Sequence, residues 1–263
     1  MKKPVLKTGM VAFGRYRILR FLGTGGLGRV YLAQNISTGA RWAVKEIGFR
    51  PGSSVDLLAE PYILKRLDHP CIPRVVDVLR KGSVLYIIED YFQGKNLREL
   101  IGRKGAYSRA EVVSWARQLA GVLVYLHNLR PAPVIYGDLK PRNIIIGDDR
   151  GLRLVDFGVA REYHGSGSGG MTGFSRGYAA PEQLQGRFDR RTDIYGFGAT
   201  FYHVLTGRKY SPPEPGGICD GGMAAGELGR IISRCLQADP ELRYQNAESL
   251  QRDLERLSDA GHF

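Results

Sequence analysis

The chain has 263 residues, 43% of them hydrophobic and 24% charged, which excludes disorder, a fibre or a long multidomain array. What remains is one large domain or two closely packed lobes. Lysine plus arginine exceed aspartate plus glutamate by 38 to 26, a net charge of +12, with the excess concentrated in residues 1–89 (15 basic, 6 acidic), which suits a phosphate-bearing or acidic partner.

Residues 16–22, 29–34 and 41–47 are short apolar runs rich in aromatic and β-branched side chains and separated by glycine-bearing breaks, which predicts three sequential antiparallel strands. From Val55 to Leu67 the apolar spacing turns helical and is closed by Asp68-His69-Pro70. Two further strands follow near 74–79 and 83–90. After Tyr91 the pattern becomes helical: 109–129 is long and amphipathic, 190–207 is apolar almost all round and therefore buried, and 225–237 and 246–258 are periodic again. Short strand-like runs, Val134-Ile135-Tyr136, Ile144-Ile145-Ile146 and Leu152-Arg153-Leu154-Val155, interrupt the helical region. Two glycine-rich stretches, His164 to Gly173 and Gly216 to Gly226, read as loops. This predicts a small β-rich lobe and a larger helical lobe joined near Asp90 to Gly94, with a cleft between them as the expected ligand site.

Chemistry enters at Gly23-Thr24-Gly25-Gly26-Leu27-Gly28-Arg29-Val30, where missing Cβ atoms let backbone amides lie close over phosphates. A plain glycine-rich hairpin turn is the alternative for this run. A dinucleotide fold needs a helix after Gly28, whereas here the sequence continues as a strand. Lys45 sits on the otherwise apolar strand Trp42-Ala43-Val44-Lys45 and points inward if Ala43 does, so it needs an anion. Glu60 on the next helix is the candidate, holding Lys45 against the α- and β-phosphates of a nucleotide.

Further along, Tyr136-Gly137-Asp138-Leu139-Lys140-Pro141-Arg142-Asn143 is followed, thirteen residues after Asn143, by Asp156-Phe157-Gly158 and then by Ala180-Pro181-Glu182. These runs, in this order and over nearly the whole chain, resemble the eukaryotic-like protein kinase family, in the Ser/Thr branch found widely in bacteria. The resemblance implies an α+β bilobal kinase fold over 1–263, with an N-lobe of about 1–91 and a C-lobe of about 92–263. It also implies phosphoryl transfer from ATP with Mg²⁺, or Mn²⁺ in its place, to Ser/Thr hydroxyls of protein substrates. Asp138 becomes the carboxylate that orients the attacking hydroxyl and takes its proton, Lys140 steadies the γ-phosphate, and Asn143 and Asp156 become the metal ligands. Adenine is placed between Leu22, Val30 and Ala43 on one side and Ile145 on the other, with backbone groups of Asp90 and Phe92 at its edge, and Glu89 falls at the gatekeeper position. Asp193 is expected to cap the apolar helix and to hold the catalytic loop's backbone. Glu182 and Arg243 resemble the large-lobe ion pair.

The sequence departs from the family pattern in several places, among them Tyr136 in place of the usual histidine and a glutamate, Glu89, at the gatekeeper position. Gly137 stands where an arginine grips a phosphorylated activation loop in many relatives, so activity should not require that phosphorylation. Ser175 replaces the threonine that bonds the catalytic Asp and Lys, while Ser166, Ser168 and Thr172 remain as hydroxyls for autophosphorylation. Pro61 directly follows Glu60, which predicts a helix starting near Glu60, or kinked there, and an imperfect Lys45–Glu60 pair without a ligand. The Gly/Pro-rich 211–226 stretch occupies the place of a substrate-docking helix.

Cys71, Cys219 and Cys235 are an odd number at wide spacing and fit neither a disulfide framework nor a zinc site, and the five histidines lack metal-ligand spacing. No apolar run follows Lys2 and Lys3, and no window approaches the roughly 18 uncharged residues of a membrane span. A cytoplasmic protein without a membrane span is expected, and the lack of any nucleic-acid-reading motif argues against a nucleic-acid partner. Two rivals share the fold: a small-molecule phosphotransferase, suggested by Gly137-Asp138 and Asn143, and a nucleotide-binding scaffold without turnover.

Overall fold

The computed structural model describes residues 6–25, 28–49, 58–103, 105, 107–165, 173–211 and 226–257. Two compact units emerge: residues 1–92 with 156–158, and residues 93–155 with 159–263.

The first unit is built on a six-stranded antiparallel sheet in the order β1-β2-β3-β4-β6-β5, with β1 at Val11–Ala12, β2 at Tyr16–Thr24, β3 at Arg29–Asn35, β4 at Arg41–Gly48, β5 at Val75–Lys81 and β6 at Val84–Asp90. The three sequential strands and the two later ones fall where the apolar runs predict. The two-residue β1 is too short to show a period. Central β4 is buried from Ala43 to Ile47, because both faces of the sheet are covered. Val44 packs with Tyr16, Ile18, Tyr31, Tyr86 and Ile88, and Ile47 packs with Leu85 and Ile87 on the other face.

The helix expected over Val55–Leu67 is α1, Ala59–Leu64; residues 55–57 lie outside the described residues. It begins one residue before Glu60 and carries Pro61 in its first turn. The missing N–H of Pro61 costs nothing there, since the first four helical amides have no intrahelical acceptor.

In the second unit β7 (Gly94–Asn96), β9 (Ile144–Gly147) and β10 (Leu152–Leu154) form a small sheet, and β8 (Val134–Ile135) pairs with β11 (Arg161–Glu162). Gly94 is required where it stands, since a Cβ would lie 2.2 Å from the Ile146 carbonyl oxygen. The helices are α2 (Leu97–Leu100), α3 (Arg109–His127), α4 (Pro181–Leu184), α5 (Arg190–Thr206), α6 (Glu227–Cys235) and α7 (Ala247–Glu255). Helix α3 opens on a capping box between Ser108 and Glu111. As predicted from its composition, α5 is buried continuously from Thr192 to Val204, and it ends at Gly207 in the left-handed conformation.

The expected capping role of Asp193 is corrected. Asp189 caps α5, its side chain accepting from the Arg191 amide at 2.7 Å while its own amide donates to Thr192 Oγ1 at 3.1 Å. Asp193 lies inside the first turn and accepts from the Tyr136 and Gly137 amides instead. No helix among the described residues is long and apolar enough to cross a membrane.

Candidate active site

The first unit carries the glycine-rich turn and the lysine. Strand β2 bulges at Leu22, since Phe21 pairs with Tyr31 and Gly23 with Val30, and the bulge sits where the turn begins. Gly26 and Leu27 lie outside the described residues. A Cβ on Gly28 would come within 2.0 Å of the Glu46 carbonyl oxygen, so Gly28 is set by close approach, while a Cβ on Gly25 would lie 3.2 Å from Asp156 Oδ2. On β4, Lys45 is paired with Val30 and Ala43 with Leu32, so Ala43 and Lys45 share a face, as the period of two requires.

Lys45 is 1% exposed. Its Nζ lies 2.7 Å from both carboxylate oxygens of Glu60 and 2.5 Å from Oδ1 of Asp156. Pro61 falls in the first turn of α1, where it leaves the helix unbroken, and the helix places Glu60 on the Lys45 ammonium. Burial by itself would favour the neutral amine, but the carboxylates of Glu60 and Asp156 hold the Lys45 ammonium well above its ordinary range. Burial pushes Glu60 upward against the pull of Lys45. Asp156 has a φ of +66°, a left-handed conformation unusual outside glycine and costing about 1–2 kcal/mol.

At the far end of the sheet, Asp90 donates its amide to the Arg74 carbonyl oxygen at 3.1 Å, and its Oδ2 accepts from Arg74 N and Nε at 3.1 and 3.0 Å. Its backbone carbonyl and that of the half-buried Phe92 belong to the segment expected to meet adenine.

In the second unit Asp138 is 5% exposed. Its Oδ2 accepts from Lys140 Nζ at 2.5 Å and its Oδ1 from the Ser175 amide at 2.9 Å, while Lys140 also donates to Ser175 Oγ at 2.8 Å. Burial pushes the Asp138 carboxyl above its usual value, and the hydrogen bonds from Lys140 and Ser175 oppose the shift. Asn143 donates Nδ2 to the Asp138 carbonyl at 3.0 Å, which leaves its amide oxygen as a donor atom for a cation. Ile145 on β9 is half-buried and pairs with Arg153 and Asn96.

The segment leading into Asp138 is held from α5. Asp193 accepts from the Tyr136 and Gly137 amides at 2.9 and 2.7 Å and contacts His127 Nε2 at 2.9 Å. Gln183 Nε2 donates to the Gly137 carbonyl at 2.7 Å. Gly196 lets Leu139 approach, a Cβ there meeting Leu139 Cβ at 3.0 Å. His127 and Gln183 are supporting residues that sequence reasoning did not single out. Nothing in their local pattern marks them, although Gln183 adjoins Glu182. Glu182 and Arg243 form the expected buried pair at 2.7 and 2.8 Å.

No cluster of three or more His, Cys, Asp or Glu side chains suited to a metal occurs among the described residues. The donor set expected for Mg²⁺ is different, one carboxylate (Asp156) and one amide oxygen (Asn143). Both are the hard oxygens this ion takes alongside substrate phosphates, and the residues present fit it.

The family model described as "Protein kinase domain" matches residues 16–254. The chain belongs to the protein kinase family. It is 31% identical, over 95% of its length, to a probable serine/threonine-protein kinase of Clostridium acetobutylicum, covering 41% of that protein. It is 28% identical to PrkC of Bacillus subtilis over 94% of the chain and 41% of the relative, and 28% identical to PknB of Mycobacterium tuberculosis over 92% and 43%. The chain thus spans about two fifths of the length of these curated relatives.

Proposed function

We propose that this chain is the catalytic domain of a serine/threonine protein kinase, with residues of about 1–91 as its N-lobe and about 92–263 as its C-lobe, transferring the γ-phosphoryl group of ATP to Ser or Thr hydroxyls of proteins in the cytoplasm. The observation that carries this reading is the Asp138–Lys140–Ser175 arrangement: a buried carboxylate with one oxygen held by the Ser175 amide and the other by an ammonium that also donates to the Ser175 hydroxyl. Asp138 orients the acceptor hydroxyl and takes its proton as the new O–P bond forms and ADP departs with the bridging oxygen. Lys140 stabilises charge on the γ-phosphoryl oxygens, and Lys45, fixed by Glu60, does so for the α- and β-phosphates. Leu22, Val30, Ala43 and Ile145 bind the adenine faces, and the Asp90 and Phe92 backbone binds its edge. Gly23, Gly25 and Gly28 let backbone amides approach the phosphates. Asn143 and Asp156 would hold Mg²⁺, or Mn²⁺, which supplies positive charge to the triphosphate when bound.

Ser166, Ser168 and Thr172, which lie outside the described residues, are the proposed autophosphorylation sites. The test is incorporation of labelled phosphate from Mg-ATP into the chain itself and into a generic basic protein. Both should occur, and both should be lost in Asp138→Asn. Phosphate passing only to small molecules would favour the small-molecule phosphotransferase, and nucleotide binding without any transfer would favour the scaffold.

A further inference from the structure

Glu89 is an ionisable residue for which the machinery above has no use. It lies on β6 directly opposite Ala43 on β4 and Val75 on β5, so its side chain shares a sheet face with Ala43 and with Lys45 two residues further along β4. It is only 7% exposed, and its Oε2 makes no hydrogen bond among the described residues. A buried carboxyl oxygen without a partner is costly, and nothing in the sheet repays that cost.

We propose that Glu89 is a purine-reading residue whose carboxyl group pairs with the N6-amino and N7 edge of adenine. This rests on the reading that ATP lies against Ala43.

The charged groups around Glu89 are Lys45 of β4, Glu60 of α1, Asp156 and the adjoining Asp90, while β5 presents the apolar Val75. Lys45 already holds two carboxylates at hydrogen-bond distance, so a third gains little from it. Burial, reinforced by the charge of Glu60, pushes the Glu89 carboxyl up to about 8, and it is held as the neutral acid at neutral pH. A neutral carboxylic acid offers one donor and one acceptor side by side. Adenine offers the complement along that edge, the N7 acceptor beside an N6–H donor, whereas guanine offers two acceptors, N7 and O6. The N6-amino group has two hydrogens, so one remains for Glu89 when the other meets the backbone carbonyl of Asp90.

The test compares dissociation constants of Mg-ATP, Mg-7-deaza-ATP (which lacks the N7 acceptor) and Mg-GTP by titration calorimetry on the wild-type chain, Glu89→Gln and Glu89→Leu. Wild type should bind 7-deaza-ATP about tenfold more weakly than ATP, the size of one lost base-edge hydrogen bond. Glu89→Gln, whose amide keeps a donor beside an acceptor, should keep that ratio, and Glu89→Leu should bring it close to one and narrow the ATP/GTP difference. Equal binding of ATP and 7-deaza-ATP by the wild type overturns the inference while leaving ATP binding intact, and needs no variant to fold. A ratio that survives in Glu89→Leu also overturns it. Failure of the wild type to bind ATP at all overturns the functional reading and the inference with it.

Discussion

Gly137 has a φ of +74°, donates its amide to Asp193 and accepts from Gln183, so its place in the catalytic loop is held by the backbone alone. A larger residue there would pay about 1–2 kcal/mol for the left-handed conformation. The loop is positioned without the arginine that reads a phosphorylated activation segment in many relatives. Phosphatase treatment should therefore leave transfer to an added protein substrate within about twofold of the untreated rate; a large loss restored by autophosphorylation would refute this. Glu89 supplies a second expectation, in stability. Its carboxyl titrates near 4.5 when unfolded and at about 8 in the fold, so folding takes up a proton between these values. The folded state then binds more protons than the unfolded one, and stability falls as pH rises through that window, by at most about 1.4 kcal/mol per pH unit. The stability advantage of Glu89→Gln over wild type in urea unfolding should grow from pH 5 to pH 8 and then level off.

Helix α5 separates two roles that its first turn places four residues apart. Asp189 satisfies the exposed amides of the helix start, whereas Asp193 reaches out of the helix to the Tyr136 and Gly137 amides. Asp189→Ala should lower stability by about 1 kcal/mol, the usual cost of a lost N-cap, while kcat changes little. Asp193→Ala releases two buried amides beside Asp138 and should lower kcat at least tenfold even at temperatures where the variant is fully folded. Steady-state kinetics alongside thermal unfolding would distinguish the two. Equal kinetic effects would mean that Asp193 does not position the loop.

At the scale of the whole chain, a buried long-range tie runs through the second unit. Arg243, with a fully buried side chain, meets Glu182 across 61 residues of sequence, stacks over Tyr195 at 4.9 Å and donates to the carbonyls of Arg191, Gln237 and Ala238. Arg243→Met alone strands the Glu182 carboxylate and should cost about 3–5 kcal/mol. Adding Glu182→Leu should recover part of that loss, since removing both charges removes the stranded one. A double variant no more stable than Arg243→Met, measured by urea unfolding, would show that the carbonyl contacts of Arg243, not the ion pair, carry its contribution.

The apolar runs of β2 to β4, the all-round apolarity of α5 and the order of the glycine turn, Asp138, Asn143 and Asp156 are local properties, and the sequence alone determined the strand-rich first part, the helical remainder and the kinase family from them. Among the elements of two to four residues, β8, β9 and β10 were legible as apolar runs, but β1, β7, β11, α2 and α4 were not, because a period cannot be read from so few side chains. Nor could local pattern decide which of Asp189 and Asp193 caps α5, since both precede the same apolar face. Only the tertiary structure brought Lys45 onto Asp156 across 111 residues and onto Glu60 despite Pro61, and left Oε2 of Glu89 buried without a partner among the described residues. The physical reason is common to all three: the energy of a buried charge is set by every group around it, and those groups are assembled by the fold and not by neighbours in sequence.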